Sequence, residues 1–132
     1  MGLRLTTTSK TKDMSVTKPH LAPYVRQGET VITSGQLAFG PDGRITGDVG
    51  DQTRVILDRI AVLLAECGLT LGDVGKTTIW LTNATDFPAF NEAYAHAFGD
   101  HKPARSTTVC SLTAPGAVIE IEAIAWPGGG RS

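Results

Sequence analysis

The chain is poor in the residues that build metal and disulfide sites: its 132 residues include two cysteines and three histidines. Cys67 and Cys110 belong to no C-x-x-C or Cys/His set, so both read as buried thiols of a reducing compartment. His20, His96 and His101 are scattered, and the spacing of the last two does not align them on one helix face; no metal site is expected. An excess of charge of one sign is lacking too. Twelve Lys and Arg against thirteen Asp and Glu leave a formal net charge of -1, the pI is near 6.3, and no basic stripe with interleaved aromatics occurs. That argues against a nucleic-acid partner. No apolar stretch approaches the length of a membrane span or a secretory core. The protein therefore reads as soluble and cytoplasmic, with no membrane partner.

What is present suits one domain. The length is that of a single unit, and 41% hydrophobic residues suffice for one core. Residues 1–17, rich in Thr, Ser and Lys toward their end, read as a flexible leader, 18–127 as the domain, and 128–132 as a flexible tail.

Residues 30–36 read as a strand, paired with an extended arm around 24–26, and Gly40-Pro41-Asp42-Gly43 as a turn. From 51 to 67 the set Ile56, Leu57, Ile60, Leu63, Leu64 and Cys67 repeats at helical steps, and Gly68 stops it. Residues 74–82 alternate, with Thr77, Ile79 and Leu81 opposite Lys76, Thr78 and Trp80. Thr85 or Asp86 caps a second helix that has Pro88 in its first turn, carries Phe87, Phe90, Asn91, Tyr94 and Phe98 on one side, and ends at Gly99. Residues 105–112 and 118–126 close the chain as strands. The layout is α+β, a sheet with two helices packed on one face. Val109, Val118, Ile124 and Trp80 or Trp126 are expected on the other face, which two helices leave bare and a further subunit would cover.

Two charges interrupt the last strands. Arg105 follows Pro103-Ala104, and Glu120 and Glu122 alternate with Ile119 and Ile121. If 105–112 and 118–126 pair as a hairpin through Thr113–Ala117, Arg105 and a glutamate look out from the same face. On spacing alone, an exposed cross-strand ion pair worth at most about 1 kcal/mol is the simpler reading.

Several segments, taken in order, go further. They are Ala22-Pro23-Tyr24-Val25, Ile32-Thr33-Ser34-Gly35-Gln36, Gly47-Asp48-Val49 with Gln52-Thr53, Asp73-Val74-Gly75-Lys76-Thr77-Thr78, Asp86-Phe87 with Asn91 and Tyr94, Pro103-Ala104-Arg105-Ser106, and Ile119 to Ala125. Together they resemble the reactive-intermediate deaminase family (RidA/YjgF). The resemblance implies a chorismate-mutase-like α+β fold assembled as a homotrimer, with sheets facing the threefold axis and pockets between neighbouring subunits. It further implies catalytic roles for Arg105, which would hold a substrate carboxylate, and Glu120, which would position the hydrolytic water. Tyr24, Ser34, Gly35 and Thr107 would complete substrate binding, with no cofactor. Asn91 also matches a frequent family position, although capping or tying the second helix is its simpler role. Glu122 reads as structural or as an interface charge.

The chemistry follows from the residue types. An arginine fork holds a carboxylate through two parallel hydrogen bonds, and a glutamate can orient and deprotonate water. Together they suit hydrolysis of a 2-imino acid of the 2-aminoacrylate type to a 2-oxo acid and ammonium. Two departures from the family pattern stand out: Thr107 where many members have Cys, and a short 99–102 segment. Threonine cannot replace a thiol as a nucleophile at neutral pH, yet water-based hydrolysis survives the change. The small-molecule partner would be a 2-imino or 2-oxo acid. The alternatives are a noncatalytic trimeric sensor of 2-oxo acids and the endoribonuclease or translation-inhibitor activity of some relatives.

Overall fold

The computed structural model describes residues 19–130; the leader expected over 1–17 lies outside them. Five strands form one sheet: β1 (Tyr24–Gln27), β2 (Thr30–Thr33), β3 (Val74–Leu81), β4 (Ala104–Val109) and β5 (Ile119–Ala125). Their order is β1-β2-β5-β3-β4, antiparallel throughout except for β3 with β4. Two helices, α1 (Val49–Ala65) and α2 (Phe87–Phe98), pack on one face. This is the mixed α+β architecture that the patterning predicts.

Helix α1 starts at a capping box in which Asp48 and Asp51 satisfy each other's backbone N–H. Its apolar side, Ile56, Leu57, Ile60 and Leu64, is completely buried against Val31, Ile79, Ile119 and Ile121 of the sheet. Gly68 follows the helix with φ +75°, a backbone shape that side chains oppose. Gln52 is buried and fully used: its Nε2 donates to the carbonyls of Gly47 and Gly116, and its Oε1 accepts from Val118 N–H. One side chain thereby ties the start of α1 to the loop that feeds β5.

The strand pairing corrects the expected hairpin. Instead of pairing with β4, β5 sits in the sheet centre between β2 and β3, and β4 runs parallel to β3 at the edge. The physical reason lies in composition. Ile119, Ile121, Ala123 and Ala125 of β5 are at most 1% exposed, whereas β4, Ala-Arg-Ser-Thr-Thr-Val, offers no row of bulky apolar side chains and suits an edge. Helix α2 makes the crossover that a parallel pair requires.

Three smaller expectations change as well. Val109 shares a row with Leu81, on the helix side of the sheet, and Val118 packs against the core, so neither lies on the bare face. Ile124 and Trp80 do alternate with the core residues, in register with Ile32 and Glu120. Cys110 is exposed rather than buried, because β4 ends one residue before it. At the C-terminal end, Gly128 N–H donates to Asp73 Oδ1 and Trp126 lies over Gly75.

Candidate functional site

Register places the two charges apart. Arg105 is level with Thr77, whose side chain is buried on the helix face, whereas Glu120 is level with Trp80 and alternates with the buried Ile119 and Ile121. Within one chain, Arg105 and Glu120 therefore project from opposite faces of the sheet. That overturns the same-face arrangement, which depended on the hairpin.

Around Arg105 the structure gathers three aromatic rings and an amide. Its guanidinium carbon lies 4.9, 5.3 and 5.5 Å from the ring centres of Tyr94, Phe90 and Phe87, within reach of cation–π attraction. Nη1 donates to Asn91 Oδ1 at 2.8 Å. Asn91 is thus the partner of the arginine, not a cap or tie for its own helix. The spacing 87, 90, 91, 94 on one helix face carried the signal; what a linear reading misses is that β4 runs parallel beneath that face. Tyr94 is fixed in turn by a 2.6 Å hydrogen bond with Thr77 Oγ1, and burial raises its pKa, so the phenol stays neutral. No carboxylate pairs with Arg105 among the described residues. Beside it opens a cavity of about 350 Å³, walled by Asn91, Tyr94, Phe98, His101 and Lys102.

Glu120 lies in a second, separate setting. After β2 the chain bridges back to β5, where Gln36 and Ile121 exchange two backbone hydrogen bonds. This brings Gly35 under the Glu120 side chain so closely that a Cβ on Gly35 would fall 2.9 Å from Glu120 Cδ and nearer still to Oε2. Glu120 accepts no hydrogen bond and has no cationic partner among the described residues. Burial, with Glu122 as a second cause, raises its pKa. The carboxylate borders a cavity of about 580 Å³ whose wall includes Leu21, Leu37, Phe39 and Ala114. Arg59 of α1 braces that wall, donating to the carbonyls of Leu37 and Phe39 at 2.6 and 2.7 Å. Sequence reasoning missed Arg59, whose partners are backbone atoms that no motif reveals.

The remaining candidates divide between these places. Ser34 Oγ donates to Ala22 carbonyl and its N–H to Pro23 carbonyl, which fixes the bend into Gly35. Tyr24 is on β1, the edge opposite Arg105 and roughly 19 Å away across four strand spacings. Its hydroxyl donates to Glu66 Oε1 at 3.1 Å, and the neighbouring Cys67 and Glu66 push its pKa up to about 12. Thr107 is half-buried in Ile79's row, on Arg105's side of the sheet.

Among the described residues, then, a mixed α+β sheet carries a ring-stacked arginine with no carboxylate partner at one edge and a glutamate with no cationic partner over a glycine at its centre. Residues 11–126 match the family model described as Endoribonuclease L-PSP. The chain belongs to that family, also called RidA/YjgF. It is 40% identical over 111 residues to a RutC family protein of Pyrococcus horikoshii, covering 80% of this chain and 88% of the relative. With the 2-iminobutanoate/2-iminopropanoate deaminase of Escherichia coli it shares 37% identity over 112 residues, with coverage of 80% and 88%. The crystal structure of E. coli TdcF with bound serine superposes with a TM-score of 0.76 at 35% identity, over 84% of this chain and 90% of that one.

Proposed function

We propose that the protein is an enamine/imine deaminase that hydrolyses 2-imino acids to 2-oxo acids and ammonium. The observation that carries this reading is Arg105, a cation without a carboxylate partner among the described residues, aimed by Asn91 and three aromatic rings at an open cavity. Stacked on the rings, the guanidinium is pre-organised, and its remaining N–H groups are free to hold a substrate carboxylate.

Since one chain carries Arg105 and Glu120 on opposite faces, the working pocket joins Arg105 of one copy to Glu120 of its neighbour in a homotrimer. Water held by Glu120 adds to the C=N carbon as the carboxylate takes up its proton. The resulting carbinolamine collapses when that proton passes to nitrogen: the C–N bond breaks and ammonia leaves, the hydroxyl gives up its proton to Glu120 as the C=O bond forms, and ammonia takes that proton to depart as ammonium, which returns Glu120 to its ionised form. Desolvation raises the Glu120 pKa toward the working pH, which suits a group that must accept and return a proton. An iminium carbon is electrophilic enough for this addition without covalent assistance from the protein, so threonine at position 107 does not obstruct it.

The test supplies the imine from a pyridoxal-phosphate-dependent threonine or serine dehydratase and follows 2-oxo acid release with and without the protein. Faster release supports the assignment. An unchanged rate, with 2-oxo acids still binding at Arg105, would leave a noncatalytic 2-oxo acid sensor as the reading.

A further inference from the structure

We infer that the protein acts preferentially on 2-imino acids with bulky apolar side chains, a specificity that rests on the deaminase reading and is carried by the cavity at Glu120. A 2-iminopropanoate offers only a methyl group beyond its reacting atoms. The cavity of about 580 Å³ instead falls in the range that encloses much larger ligands. Its wall includes Leu21, Leu37, Phe39 and Ala114 beside Gln36 and Thr113, and among the described residues Glu120 is the one carboxylate that borders it. Two of these side chains are costly to leave wet: Leu21 is 57% and Phe39 42% exposed, and both line this space. An apolar substituent would shield them.

Arg59 is tied into the wall itself. This cation donates one N–H from each terminal nitrogen to the Leu37 and Phe39 carbonyls, which holds the apolar wall in place. Gly35, lacking a side chain, leaves the room that the Glu120 carboxylate occupies at the cavity's edge. A substrate whose C2 carbon sits at the Glu120 carboxylate therefore has its side chain beside Leu37 and Phe39, and each methylene buried there raises transition-state affinity about fourfold.

The experiment generates the imines of alanine, leucine and phenylalanine in situ with an L-amino-acid oxidase plus catalase, and measures how far the protein accelerates 2-oxo acid release at low imine concentration. The expected result is kcat/KM for the leucine imine about tenfold or more above that for the alanine imine. Phe39→Ala should lower this ratio several-fold and Phe39→Leu should largely restore it, with melting temperatures confirming that each variant folds. A preference for the alanine imine, or a ratio that Phe39→Ala leaves unchanged, overturns the inference while the deaminase reading stands. Acceleration of none of the three imines overturns both.

Discussion

Glu120 lies so close over Gly35 that no side chain fits between them. The glycine does not adopt a left-handed conformation, so its value here is space alone. Gly35→Ala would force the flexible end of Glu120 to swing away, costing stability only about 1 kcal/mol. Under the proposed deaminase reading the carboxylate would then miss the hydrolytic water, and misplacement on that scale costs about tenfold or more in rate. The expected outcome is a nearly unchanged melting temperature with dehydratase-coupled hydrolysis down by that factor.

The surroundings of Arg105 predict a graded series. Arg105→Ala leaves a bound carboxylate without its partner, a loss of roughly 2 to 5 kcal/mol, so calorimetry should detect no binding of 2-oxobutanoate. Asn91→Ala keeps the cation on its three rings and removes one charge-assisted hydrogen bond. Affinity should then fall by about tenfold. Equal effects of the two substitutions would mean that the rings do not orient the guanidinium.

Periodicity made the elements and their faces readable in advance, because α1 and β5 are each strongly patterned against one core. Gly68 and Gly99 marked the helix ends through their positive φ. Strand order was not readable, since a hairpin and a parallel crossover place the same alternation on β4 and β5. The choice between them is made by α2 packing over β3 and β4, a contact between segments remote in sequence. That single ambiguity decided whether Arg105 and Glu120 shared a face. Asn91 and Arg59 were hidden for the same reason, their partners lying 14 and about 20 residues away.

Titration of Glu120 gives the pH dependence. As the proposed base it must be ionised, so kcat/KM falls as pH drops through its pKa, and burial shifts that acid limb upward from the ordinary glutamate value. Glu122 is the second cause of the rise, so Glu122→Gln should move the limb to lower pH, by less than the effect of burial. The stability sign is opposite. A carboxyl whose folded pKa is raised contributes stability that is full below its unfolded pKa and lost as pH rises through the folded one. Glu120→Gln should therefore stabilise the protein near neutral pH, relative to wild type, while abolishing hydrolysis. Melting curves and rates across the acid range check both halves.

Opposite faces for Arg105 and Glu120 make the shared pocket directly testable. Arg105→Ala and Glu120→Gln should each be inactive alone, because every pocket in either assembly lacks one member of the pair. When the two variants are unfolded together and refolded as a mixture, some pockets receive the intact arginine from one copy and the intact glutamate from another. Random assortment in equal proportions gives about a quarter of pockets complete in a closed ring of identical contacts. Activity should recover toward that fraction of wild type, with light scattering giving about three times the 13.9 kDa chain mass. A site formed within one chain would show no recovery at all, since no chain in the mixture carries both residues.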